Sequence, residues 1–141
     1  MTFRTSSFTH DGHTLVYDTY GDEGPLLVYI HGLLLDSDIN RGIADAVASG
    51  GHRVVLLDLL GHGRSDKPTH ASEYRMDTYA HQVAACLDHL GVEEAVIGGL
   101  ERLMAMRVHM RARHVEGRNE TAVLDRVGLT QAQVDEMYRY M

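Results

Sequence analysis

The chain has one cysteine, Cys86, among its 141 residues. With no partner for that thiol, both a disulfide framework and a thiolate metal site are excluded. No stretch approaches the roughly 20 consecutive apolar residues of a membrane span. The opening MTFRTSSFTHDG lacks the apolar core of a secretory signal, so a soluble cytoplasmic protein with no membrane partner is expected. A basic surface is also missing: residues 1–99 hold fourteen acidic against six basic side chains, which argues against nucleic acid as a partner. No zinc, calcium, flavin or dinucleotide pattern is present and no cofactor or metal is expected. No internal repeat or low-complexity tract interrupts the chain. A chain of this length buries about two thirds of its unfolded surface, enough to hold one domain together without cross-links.

Composition changes near Gly99. Five of the seven methionines and seven of the thirteen Lys/Arg fall in residues 100–141, whereas eight of the ten histidines lie earlier. The sequence reads as two texts joined at that point.

The first text alternates strand and helix signals. Residues 3–9 and 14–20 are rich in β-branched and aromatic side chains and flank Asp11-Gly12, a pair that tolerates the positive φ of a tight hairpin. LLVYIH (26–31) and RVVLLDLL (53–60) are apolar runs too short for helices and typical of strands covered on both faces. Between them Asp36 or Ser37 could cap a helix over 38–49, with Ile39, Ile43, Ala46 and Val47 on one face. After the glycine-rich loop GHGRSDKP a long helix is expected over 74–90, with Tyr79, Val83, Cys86, Leu87 and Leu90 as its apolar stripe and Gly91 closing it. A third buried strand follows at 95–97. This βα alternation predicts an α/β fold with parallel strands and helices on both faces. Ligands in such sheets collect beyond the carboxyl ends of the strands, here His31-Gly32, the loop 58–65, and the stretch from Gly98 to Arg102.

The second text is helical in spacing. Leu100, Leu103, Met104 and Val108 share one stripe, widened by Met106 and Met110. Near the end, Thr130 as N-cap, Gln133 as its capping-box partner and the Leu129/Val134 staple open a last helix striped by Val134, Met137, Tyr138 and Met141. The domain reading is therefore 1–99 as a sheet-forming unit and 100–141 as a helical tail packed on it.

Three features carry a resemblance: LLVYIHG (26–32), the D-x-x-G-x-G-x-S motif Asp58-Leu59-Leu60-Gly61-His62-Gly63-Arg64-Ser65 followed by Asp66-Lys67-Pro68, and the strand ending in Gly98-Gly99. In order and spacing they resemble the N-terminal half of the α/β-hydrolase superfamily over about residues 10–99. The resemblance implies that the turn after His31-Gly32 supplies an oxyanion-hole amide, from Leu33 or Leu34, to an acyl-transfer intermediate. It also implies that Asp58 ties down the G-x-G loop. Gly61 and Gly63 would provide unusual dihedrals, Ser65 a cap or turn, and His31 a structural hydrogen bond with Gly32 allowing close backbone approach. The HGLL variant lacks the proline that members acting on epoxides or alkyl halides place nearby, which favours ester or lactone chemistry on a small acyl substrate. His52, His62, His70, His81 and His89 converge on no ligand pattern and are expected on surfaces or loops, with His62 at the pocket mouth.

Where the family runs into G-x-S-x-G, this chain reads Gly99-Leu100-Glu101-Arg102-Leu103. Glu101 stands at the nucleophile position and Leu103 replaces the second glycine. His109 and His114 precede Asp125 and Asp135, which inverts the acid-then-histidine order. Two functions follow from this: a hydrolase by descent, cleaving carboxylic esters or related acyl bonds in its intact relatives, or a non-catalytic truncated fragment or interaction module. The second would bind a homo-oligomer or partner chain through the open sheet edge and the apolar helix stripes. The tail would be a lid remnant or an unrelated replacement, joined after a deletion, frameshift or fusion.

Overall fold

A computed structural model describes residues 2–32 and 35–99. The chain opens with two antiparallel strands, β1 (Phe3–His10) and β2 (His13–Tyr20). Asp11 and Gly12, at φ 50° and 78°, make the turn between them, the pair of positive dihedrals that a two-residue hairpin matching strand twist requires. β3 (Leu26–Ile30), α1 (Arg41–Ser49), β4 (Arg53–Asp58), α2 (Met76–Leu90) and β5 (Val96–Gly99) follow. One-turn 3-10 helices at Ser37–Asn40 and Ala71–Glu73 lead into the two α-helices.

Among the described residues the strands form one open sheet in the order β1-β2-β4-β3-β5. β2 runs antiparallel to β4, whereas β3 is parallel to both β4 and β5. The connection from β3 steps to one side and the connection from β4 steps back across β3. Right-handed crossovers in opposite directions place their helices on opposite faces, and a crevice forms outside the carboxyl ends of the strands at such a reversal.

Alternation along β3 and β4 separates the two cores. Val28, Ile30, Val55 and Leu57 pack with Leu15 and Tyr17 against Tyr79, Ala80, Val83, Cys86 and Leu87 of α2. Leu27, Tyr29, Val54 and Leu56 pack with Tyr20 against Ile43, Ala44, Val47 and Ala48 of α1. Every residue of β3 is buried, as an apolar run covered on both faces demands. Burial lifts the Cys86 thiol to about 12, so it is an inert core side chain.

Several boundaries differ from the sequence reading. The apolar run 53–60 continues past β4, but Leu59 and Leu60 are buried in the loop. α1 starts at Arg41 because residues 37–40 wind as a 3-10 turn, where Asp36 caps by accepting from the Asp38 N–H at 2.9 Å. The tighter pitch shifts the phase ahead of the helix, and Ile39 is 52% exposed; within the α-helix itself Ala44 and Ala48, rather than Ala46, share the buried face of Ile43 and Val47. α2 begins at Met76, two residues later than expected, and ends where Gly91 turns left-handed at φ 67° and the Val92 N–H reaches the Leu87 carbonyl. β5 extends through Gly99. Among the described residues no helix is long and apolar enough to cross a membrane. The tail expected over 100–141 lies outside the described residues.

Trimming Ile43 to alanine is expected to cost about 2–5 kcal/mol through the cavity it leaves. The same change at the exposed Ile39 should stay within about 0.5 kcal/mol. Urea denaturation of the two variants checks the phase of α1, and equal losses would contradict it.

Candidate functional site

The three parallel strands deliver their carboxyl ends to one rim. Ile30 pairs with Leu57 on one side and with Gly99 on the other. The next residues outward are therefore His31 and Asp58, beside the exit of β5. Leu33 and Leu34, the proposed oxyanion donors, and Glu101 lie outside the described residues. Gly32 is placed: its carbonyl accepts from the Leu35 N–H at 3.1 Å, closing the turn.

His31 is 1% exposed. Its Nε2 accepts from the Leu59 N–H at 3.0 Å, so the ring proton sits on Nδ1, which donates to the Gly32 carbonyl at 2.8 Å. Burial pushes its pKa below the usual value, opposed by the Gly32 carbonyl and reinforced by the neighbouring His62 ring, whose centroid is 4.7 Å away. The ring joins two loops as a neutral imidazole with both nitrogens engaged. It has no lone pair or proton left for a substrate.

Asp58 gathers the rim. Oδ1 accepts from the Ser37 N–H at 2.8 Å and its hydroxyl at 2.6 Å; Oδ2 accepts from Arg64 Nε at 2.9 Å and its backbone N–H at 3.2 Å. Burial alone would raise its pKa, but these donors from Ser37 and Arg64 outweigh it and hold the carboxyl below its ordinary value. Gly63, at φ 51°, lies so close that a Cβ there would fall 2.5 Å from Asp58 Cγ. Gly61 at φ 81° faces the Tyr74 ring in the same way, with 2.4 Å to Cε1. Ser65 donates its hydroxyl to the Asp58 carbonyl and accepts from the Val16 N–H at 2.9 Å, clipping the loop to β2.

Three further side chains complete this frame and were not singled out in the sequence. Arg64 extends past Asp58 to grip both oxygens of Asp18, each at 2.9 Å. Asp18 is fully buried, and it also receives Arg41 at 2.9 Å and the Thr5 hydroxyl at 2.6 Å. Although burial works against it, hydrogen bonds from Arg64, Thr5 and Arg41 hold this carboxyl low as well. Gln82 on α2 accepts from the Leu60 N–H at 3.0 Å. A signal existed for two of them: Asp18 shares the strand face of Tyr20, and Gln82 lies on the apolar stripe of its helix, where a polar residue needs a buried partner.

The other histidines scatter. His89 stacks on Phe8 at 5.2 Å and meets the Tyr17 hydroxyl at 3.2 Å, His62 donates Nδ1–H to the Leu60 carbonyl at 3.0 Å, and His70 and His81 are exposed. His52 sits in a loop, one of the two settings expected for it, and is buried there at 6% exposure. Among the described residues no group of His, Cys, Asp and Glu could hold a metal ion.

The family model described as alpha/beta hydrolase fold matches residues 25–100, the stretch from β3 to the exit of β5. The chain belongs to this family. A non-heme haloperoxidase from Rhodococcus erythropolis is 35% identical over 124 residues, 88% of this chain and 43% of that protein. A haloalkane dehalogenase from Mycobacterium marinum is 36% identical over 75 residues, 53% of this chain and 25% of that protein. Among solved structures, the thioesterase domain from the curacin biosynthetic pathway superimposes with a TM-score of 0.66 at 26% identity, covering 70% of this chain and 37% of that one. The chain thus spans less than half of these α/β-hydrolase relatives. A second family model, the respiratory nitrate reductase beta C-terminal region, matches residues 85–131. The respiratory nitrate reductase 2 beta chain of Escherichia coli is 54% identical over 46 residues, 33% of this chain and 9% of that protein.

Two measurements test the rim of this α/β-hydrolase sheet. Asp58→Ala is expected to cost about 3–5 kcal/mol, because it strands a buried hydroxyl and half of an ion-pair network; a loss below about 1 kcal/mol in denaturant melts would contradict the central role given to Asp58. The second is a pH profile of stability. The folded pKa of His31 is below its ordinary 6.5, so below that pH the unfolded chain binds the proton more readily. Stability from this group is complete above 6.5 and is lost as pH falls toward the folded value, with a slope of at most about 1.4 kcal/mol per pH unit. The depressed Asp18 and Asp58 then add a steeper loss below their ordinary 3.8. His31→Gln should remove the upper step and keep the lower one; an unchanged upper slope would contradict the placement of His31.

Proposed function

We propose that residues 1–99 are the N-terminal half of a hydrolase scaffold whose ancestral chemistry is cleavage of carboxylic esters or related acyl bonds, and that this chain does not itself form an acyl-enzyme. One observation carries the reading: β5 runs into Leu100-Glu101-Arg102-Leu103, where nucleophilic catalysis on this fold needs an exposed oxygen or sulfur on a cramped strand-to-helix turn. A carboxylate can attack an activated carbon in principle. Glu101 is poorly suited to it here, because Leu103 puts a branched side chain where the turn needs a small one.

The two serines bonded to Asp58 support the same reading. The Ser37 hydroxyl is committed to Asp58 Oδ1 and the Ser65 hydroxyl to the Asp58 carbonyl, and neither contacts an imidazole base. Acyl chemistry is favoured over attack on an alkyl halide or epoxide by the HGLL sequence, which lacks proline; structures of similar likeness include both a thioesterase domain and epoxide hydrolases. The substrate of the intact ancestor would be a small ester or thioester.

The tail is read as an unrelated replacement. Its match to the C-terminal region of a nitrate reductase beta chain supports a composite polypeptide, the two family models overlapping between residues 85 and 100, while the haloperoxidase alignment, at 88% of the chain, runs on into the tail. The remaining strands of the sheet would then be absent from residues 100–131. An interaction module using the outer edge of β5 is the role open to such a chain.

A fluorophosphonate ester probe should leave the full chain unlabelled by intact mass, while a stoichiometric adduct on Ser37, Ser65 or Ser72 would overturn the assignment. Limited trypsin digestion addresses the composite reading through the seven arginines after residue 100. Cleavage confined to the tail should leave the melting temperature of the sheet unchanged within a few degrees. Loss of the cooperative transition on tail cleavage would show that the tail belongs to the same folding unit.

A further inference from the structure

We draw no further inference here: the strongest candidate, the outer edge of β5 (Val96–Gly99) with the half-buried Val96 and Ile97 beside it, has nothing in the structure to show what covers it.

Discussion

The paired carboxylates Asp18 and Asp58, bridged by Arg64, are the constraint on which the described structure depends. Both acids are essentially removed from water, and an unpaired buried charge costs several kcal/mol. The guanidinium must therefore reach both at once. It does so with a two-pronged grip on Asp18 and its Nε on Asp58, which fixes the G-x-G loop against β2. Register follows from this. A slip of one residue in β2 would turn Asp18 to the other face, leaving Arg64 and Arg41 without their shared acid. The hairpin, whose β1 is mostly exposed, is thus held to the sheet by charge as well as by apolar burial. The net contribution of such a network to stability is modest, because desolvation offsets attraction; its effect is to make alternatives to this arrangement expensive.

The same network commits the polar groups described along the rim. A hydrolytic site needs a hydroxyl free to attack and an imidazole free to take its proton. Along this rim Ser37 and Ser65 donate to Asp58, and His31 spends one nitrogen on Gly32 and the other on Leu59. These groups build a rigid frame around the strand ends, leaving the reacting atoms to be supplied from elsewhere. On this fold the carboxyl end of β5 is where the nucleophile is presented, and the frame stands directly beside it through the Ile30–Gly99 pairing.

Much of the frame was legible from residue order. Continuous apolar runs marked β3 and β4, the Asp-Gly pair marked the hairpin, and the glycines spaced around His62 marked a loop with unusual dihedrals. What stayed hidden involved contacts between residues far apart in sequence. Arg64 reads as an ordinary surface cation, and only its distance to Asp18, 46 positions earlier, reveals its role. Ile39 was misplaced for a local reason. Three residues per turn in the 3-10 segment and 3.6 in the helix cannot keep one stripe in phase, so extending the α-helical period back to residue 38 rotated that side chain into the core on paper and into solvent in the fold. The oxyanion turn at Leu33 and Leu34 and the position of Glu101 lie outside the described residues, and their reading remains one of sequence.

Two independent features meet at β5. Charge and methionine content change near Gly99, and the two family matches overlap between residues 85 and 100. The periodicity gives this coincidence a physical meaning. A strand added beyond β5 would alternate its apolar residues every second position, whereas Leu100, Leu103, Met104 and Val108 recur at three and four, a spacing suited to one side of a helix. Residues 100–108 are thus patterned against extending the sheet in register, whatever their origin. The match of residues 85–131 to the respiratory nitrate reductase beta C-terminal region covers this same stretch, so on the composite reading proposed above the spacing at Leu100, Leu103, Met104 and Val108 would belong to the second family and not to the hydrolase elbow.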